Sequence, residues 1–200
     1  MKRTLIALSL TIGILGLLAG CASAPTAEVT ATKAALTEAQ TEDVQTYAAA
    51  SLQAAQDELN KATAEIQTQD GKFFLSRDYK QATEMLKSAK DLAEKAKTDA
   101  QTNKMQAKAD AETLIASLPQ QLDEAKKALA KAPRGKDTKA DLEAMQNDLK
   151  VAEEAMTEAN TSMSGEKFKD ALANANSAKE KITAVIDQVK AAQEKAKGLR

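Results

Sequence analysis

Tyr79-Lys80-Gln81-Ala82-Thr83-Glu84-Met85-Leu86-Lys87-Ser88-Ala89-Lys90-Asp91-Leu92-Ala93-Glu94-Lys95-Ala96-Lys97-Thr98-Asp99-Ala100 is the stretch that decides the fold. Its seam-forming side chains return at Tyr79, Ala82, Leu86, Ala89, Ala93, Ala96 and Ala100, in alternating steps of three and four. That mean spacing of about 3.5 is the heptad signature, which keeps one stripe of a helix against a partner. A strand would repeat every second residue. Lys87, Lys90, Asp91, Glu94, Lys95 and Asp99 fill the other face with mixed charge. This segment is an amphipathic helix.

The same spacing recurs on both sides. Upstream it runs Leu52, Ala55, Leu59, Ala62, Ile66; downstream Leu142, Met145, Leu149, Ala152, Met156, Ala159, Met163. A last series runs Phe168, Ala171, Ala175, Ala178, Ile182, Val185, Val189, Ala192, Ala196. Composition agrees. Of 200 residues 42 are Ala, aromatics are 2%, and there are only 7 Gly and 3 Pro. Sheets need β-branched and aromatic residues, with Gly and Pro at many turns. The sequence therefore predicts an all-α fold: an elongated antiparallel helical bundle of long coiled-coil-like hairpins. Helices are expected over 28–69, 76–117, 119–132, 137–163 and 166–197, the first with a candidate break at Thr41-Glu42-Asp43.

Stops and starts are also legible. Gly71 and Gly165 suit the left-handed residue after a helix end. Ser76 and Ser164 are candidate caps for the helices that follow, and Pro119 sits where a helix can start. Ala132-Pro133-Arg134-Gly135 should end one, and Thr138 with Asp141 resembles a capping box. Asp57 with Lys61 and Asp91 with Lys95 are spaced for i,i+4 support, worth about 0.2–0.5 kcal/mol each.

The two halves align. The segment from Ser51 to Ala62 matches that from Asp141 to Ala152 without a gap, and Tyr79-Lys80-Gln81-Ala82 matches Phe168-Lys169-Asp170-Ala171 after one deleted position. Ser88-Ala89-Lys90 then matches Ser177-Ala178-Lys179. This order of residue types just after both breaks points to an internal duplication of a helical hairpin. The first hairpin is placed at 28–118 and the second at 119–200. The period of about 90 residues is far from that of a tetratricopeptide solenoid.

The amino terminus carries a different signal. Met1-Lys2-Arg3 precedes an apolar run from Leu5 to Leu18, too short to span a bilayer as a helix, and then Leu18-Ala19-Gly20-Cys21. Residues 1–20 read as a secretory signal peptide, and 21–27 as a short tether to the helices. The only Cys of the chain, directly after Leu-Ala-Gly, resembles the lipobox of bacterial lipoproteins. The resemblance implies cleavage between Gly20 and Cys21, thioether lipidation of Cys21 and acylation of its new amine, by palmitate or a similar chain. Two or more acyl chains give stable anchoring in the lipid bilayer. Ala22, rather than Asp, follows the Cys, which in the enterobacterial sorting rule implies the outer membrane, with the protein facing the periplasm. Loss of Lys2 and Arg3 with the signal takes 28 basic side chains to 26 against 29 acidic ones, a formal charge of −3. Such a surface has no electrostatic footprint for nucleic acid.

Chemistry is sparse. There is no His to act as base or metal ligand, the lone Cys is expected to be acylated, and no Gly-rich phosphate loop occurs. Carboxylate pairs such as Glu153/Glu154 and Asp141/Glu143 read as solvated faces among interleaved Lys. No enzyme activity, cofactor or metal is expected. Phe73-Phe74-Leu75 is the one aromatic cluster. It is expected to plug the end of the bundle, with a partner contact through Phe73 and Phe74 as the alternative.

Cys21 with its small-residue tether, Tyr47-Ala48-Ala49-Ala50-Ser51-Leu52, Ala55, Leu59, Ala62, Arg77-Asp78-Tyr79, Ala82, Ala89 and Ala93 together resemble an uncharacterised family of Ala-rich helical bacterial lipoproteins. Their domain is one of unknown function, sometimes followed by an OmpA-like peptidoglycan-binding domain. The resemblance covers residues 21–100, with the second half as a degenerate copy, and brings no catalytic residues. Braun-type lipoprotein, also lipidated and helical, ends in a Lys joined to peptidoglycan. Here the last residues are Lys197-Gly198-Leu199-Arg200, so covalent wall attachment is not expected. The expected role is structural, a scaffold in the cell envelope, the alternative an adaptor for an envelope protein or peptidoglycan. Ala seams remove little apolar area, at about 0.8 kcal/mol per buried CH₂. Self-association or an envelope partner along the helix faces is therefore expected.

Overall fold

A computed structural model describes residues 23–135 and 138–198. Within them all regular structure is helical. The helices are α1 (Thr26–Ala39), α2 (Glu42–Tyr47), α3 (Ala49–Asp70), α4 (Lys80–Ala130), α5 (Lys139–Ser164) and α6 (Phe168–Gly198), with a 3₁₀ turn at Phe74–Ser76 between α3 and α4. The expected all-α bundle of long hairpins is what the chain forms. Residues 1–20, read as a signal peptide, and the expected lipidation site Cys21 lie outside the described residues.

The heptad stripes are the core. Every seam residue from Tyr79 to Ala100 is buried, as is every one from Phe168 to Val189. α4 is the spine: 51 residues, or about 76 Å at 1.5 Å per residue. Its first half packs with α1 and α3 around Leu36, Leu59 and Leu86, and its second half with α5 and α6 around Leu118, Leu149 and Ile182. Between the two cores Val44, Tyr47, Ala48, Ala96, Ala100, Ala107 and Phe168 form a third cluster, which joins them. The molecule is two three-helix bundles threaded end to end on one helix.

The burial pattern repeats over more than a hairpin. A shift of 89 residues superposes the buried pairs Tyr79/Phe168, Ala82/Ala171, Leu86/Ala175, Ala89/Ala178, Ala93/Ile182, Ala96/Val185 and Ala100/Val189. A shift of 90 does the same for Leu59/Leu149 and Ala62/Ala152, and also for Thr32/Leu122, Ala35/Ala125 and Ala39/Leu129. The repeated unit is thus three helices: α1, α3 and the start of α4, then the end of α4, α5 and α6. The expected boundary between residues 118 and 119 falls inside α4, and the expected separate helix over 119–132 is the end of α4. Pro119 lies within that helix, solvent-exposed, between the buried Leu118 and Leu122. A Pro inside a helix costs about 3 kcal/mol, and the apolar stripe through both Leu carries the helix across it.

Other local expectations change. The break at Thr41 is real, and the Thr41 hydroxyl accepts from Val44 N at 3.3 Å to cap α2. Ser76 instead donates to Phe73 O at 2.8 Å, and Asp78 Oδ1 accepts from Lys80 N at 3.0 Å where α4 begins. Ser164 closes α5 and donates back to Asn160 O at 2.9 Å. Thr138 turns to Gly135, accepting from its N–H at 2.8 Å, so no capping box forms with Asp141. Gly71 and Gly165 have ordinary negative φ. Glu166, at φ 57, is the left-handed residue after α5. Lys167 N donates to Ser162 O at 2.9 Å and Glu166 N to Met163 O at 3.1 Å, the two bonds of a Schellman stop. Lys61 pairs with Glu58 and Lys95 with Asp99, in place of the expected Asp57 and Asp91.

Candidate functional site

Three surfaces stand out. The first is the turn between α3 and α4, where Phe73, Phe74 and Leu75 are 67%, 51% and 72% exposed. The two rings lean on each other, with centroids 4.6 Å apart. They do not plug the bundle. That expectation fails because polar groups already close the end. Gln69, buried, receives Asp78 N on Oε1 at 3.0 Å and donates to Glu65 at 2.6 Å. Arg77 donates to Asp70 O at 2.8 Å and Lys72 O at 3.1 Å, meeting carbonyls that a helix end leaves open. Tyr79 fills the seam and donates its hydroxyl to Asp70 Oδ1 at 2.5 Å. The Asp70 carboxylate, aided by burial, holds the Tyr79 phenol above its ordinary value. None of these ties uses the side chains of Phe73, Phe74 or Leu75.

The second surface is the joint. The break before α3 leaves carbonyls at the end of α2, and side chains of α4 and α6 meet them. Asn103 Nδ2 donates to Tyr47 O at 2.8 Å, and Lys169 of α6 donates to Thr46 O. The Lys169 ammonium also sits 5.4 Å from the Tyr47 ring centre, as Lys108 sits 5.9 Å from that of Phe168. Both distances are within cation–π reach. Lys104 binds Asp43 at 2.9 Å, and this carboxylate, with Glu166 beyond it, raises the Lys104 pKa. A cleft of about 250 Å³ lies beside these contacts, lined by Glu42, Asp43, Glu166, Lys167, Lys169 and Asp170. Asp43 in this lining is paired with Lys104 and Lys169 is held by Thr46 O, and among the described residues no group of acidic side chains is gathered there to hold a metal ion. This is a fastening between bundles.

The third surface is at the far end of α4. A groove of about 660 Å³ runs between the start of α5 and the end of α6, lined by Pro133, Ala144, Met145, Ala191, Ala192 and Ala196, with Asp141 and Lys195 at its edges. It is apolar and open along the helices. Such a groove suits a helix or peptide better than a reacting small molecule, which calls for an enclosed site with convergent polar groups.

Among the described residues no group of three or more His, Cys, Asp or Glu is gathered to hold a metal ion. No helix of the described residues is long and apolar enough to cross a membrane. Glu153 pairs with Lys126 across α4 and α5, while Glu154 and Glu143 do not converge with it on any shared site. Lys95 and Lys97, on the face of mixed charge, are engaged by Asp99 and Glu94. Of the residues singled out from sequence, Phe73 and Phe74 come together at one end, and Cys21 and Gly20 lie outside the described region. The joint residues Lys104, Lys108 and Lys169 were missed, since nothing in a heptad pattern marks where two bundles abut. Comparison of the chain with protein-family models, with curated proteins and with solved structures finds no match.

Proposed function

We propose that this protein is a lipoprotein of the bacterial outer membrane, anchored through acylated Cys21 and facing the periplasm, where it serves as a structural element of the envelope. The lipobox-like Leu18-Ala19-Gly20-Cys21 carries the reading. The architecture supports it: the tether from Cys21 is only a few residues long before α1 starts at Thr26, and the rod behind it holds a spine of about 76 Å. A spacer needs length, stiffness and a fixed attachment, and does not need a reactive site. The distal groove favours a second role, as an adaptor that seats a helix of an envelope protein between α5 and α6.

In-cell crosslinking with identification of the captured species tests both roles, with Cys21→Ser as the unanchored control. A scaffold gives several neighbours or copies of itself. An adaptor gives one stoichiometric partner, lost on Ala144→Lys at the exposed face of the groove. Retention of Cys21→Ser in the membrane fraction would remove the anchor on which both depend.

A further inference from the structure

We infer that the Phe73-Phe74-Leu75 tip is a second membrane contact, inserting into the lipid interface beside the anchor and standing the rod upright on the bilayer. The inference rests on the lipoprotein reading for the presence of a membrane, and on helix direction for the placement. Thr32 of α1 bonds Leu86 of α4 at 3.2 Å, and Glu38 reaches Lys97 at 3.9 Å, so the two helices run parallel. Counting back equal steps from Thr32 and Leu86 brings Thr26 level with Lys80. These are the first residues of α1 and α4, so the entry of the tether and the α3–α4 turn are at the same end of the molecule. The stretch from Cys21 to Thr26 spans at most about 18 Å when fully extended. An anchored Cys21 therefore holds the three exposed apolar side chains within reach of the membrane surface.

Charge fits the same occupant. Lys72, Arg77 and Lys80 flank the tip in the chain, three basic groups against Asp70 and Asp78, whose carboxylates accept hydrogen bonds from Tyr79 and from Lys80 N. Basic residues next to inserted apolar ones favour anionic headgroups. Two contacts at one end fix orientation where a single tether cannot. The distal groove is then carried toward the periplasm on the length of α4.

The chain has no Trp, so Phe74→Trp is a single reporter. The mature lipidated variant is reconstituted in vesicles of phosphatidylethanolamine and phosphatidylglycerol, with and without bromine on the acyl chains. Its emission is expected to shift to the blue and be quenched about twofold by bromine. Met105→Trp, on a residue 65% exposed in the middle of α4, should be neither shifted nor quenched. The same reporter in Cys21→Ser, with vesicles in excess, isolates the tip from the anchor. Adding Phe73→Ser in that background should lower vesicle partitioning about tenfold without moving the melting temperature, since the ring is 67% exposed and takes no part in the ties that close the bundle end. Flotation with no quenching overturns the insertion and leaves the anchor standing. Quenching in Cys21→Ser without flotation of the native chain supports the insertion and removes the anchor. Capture of a protein at position 74 with no quenching overturns the insertion in favour of a protein partner.

Discussion

Thr32, 2% exposed, donates its hydroxyl at 3.2 Å to the main-chain carbonyl of Leu86, 54 residues further along the chain. The same hydroxyl reaches Glu28 O of its own helix at 2.8 Å, so one side chain ties α1 both to itself and to the spine. This contact lies in the parallel register that puts the start of α1 and the aromatic tip at one end. Thr32→Val keeps the shape and removes the donor, while both carbonyls retain their helical partners. The expected loss is about 0.5–1.5 kcal/mol in urea denaturation. An unchanged midpoint would deny the bond any part in holding α1.

The α5 stop predicts an inversion of the usual glycine rule. Glu166 occupies the left-handed region, which costs a residue with a side chain about 1–2 kcal/mol relative to Gly. Glu166→Gly should therefore stabilise the protein by about 1 kcal/mol. Gly165 has φ −85, and a Cβ there would meet Thr161 O at 3.5 Å, an ordinary contact. Gly165→Ala should be neutral or stabilising by up to about 1 kcal/mol. Thermal denaturation of the two variants decides; a marked loss for either contradicts the assigned stop.

The two bundles share a pattern and differ in filling. Where the first has Thr32, Ala39 and Ala93, the second has Leu122, Leu129 and Ile182. More apolar surface leaves water in the second bundle, so amides of α5 and α6 should exchange with solvent more slowly than those of α1 and α3. Ile182→Ala should cost about 2–5 kcal/mol. Ala93→Ile, which forces a branched chain into a seam closed by α1 and α3, should cost about 1–3 kcal/mol. Faster exchange in α5 and α6 than in α1 would contradict the assignment of the stronger core.

Two titrations bound the pH range. Hydrogen bonding to Asp70 raises the Tyr79 pKa, so the folded state holds that proton more tightly than the unfolded chain. The associated stability is present below the ordinary Tyr value of about 10 and falls as pH rises through the folded one. Asp99 is held low by Lys95 and then by the Ser51 hydroxyl at 2.6 Å. Its contribution is present above the ordinary Asp value of about 3.9 and is lost as pH falls below it. Denaturation midpoints against pH should fall less steeply at the alkaline end in Tyr79→Phe, where Lys104 still contributes, and flatten at the acid end in Asp99→Asn.

Periodicity made most of the fold legible, because a buried seam leaves its spacing in the sequence wherever one face is kept from water. Leu86, Ala93, Leu149 and Ile182 were all recognisable in this way. Pro119 was misread since its local cost was visible while the flanking burial of Leu118 and Leu122 was not. The third helix of each repeat was hidden for a similar reason. Thr32 aligns with Leu122, a polar residue against an apolar one, and only their shared burial reveals the equivalence. At the tip, Phe73 and Phe74 looked like core because aromatic side chains usually are. The polar ties of Gln69 and Arg77 that make them dispensable to packing depend on three-dimensional placement.

The anchored rod stands or falls on the chemistry at Cys21, which mass spectrometry of the amino-terminal peptide from membrane-extracted protein reads directly. The account predicts a chain that begins at Cys21, lacks residues 1–20, and carries a diacylglyceryl thioether with or without an amide-linked acyl chain. An unmodified Cys21 with residues 1–20 still attached would contradict it.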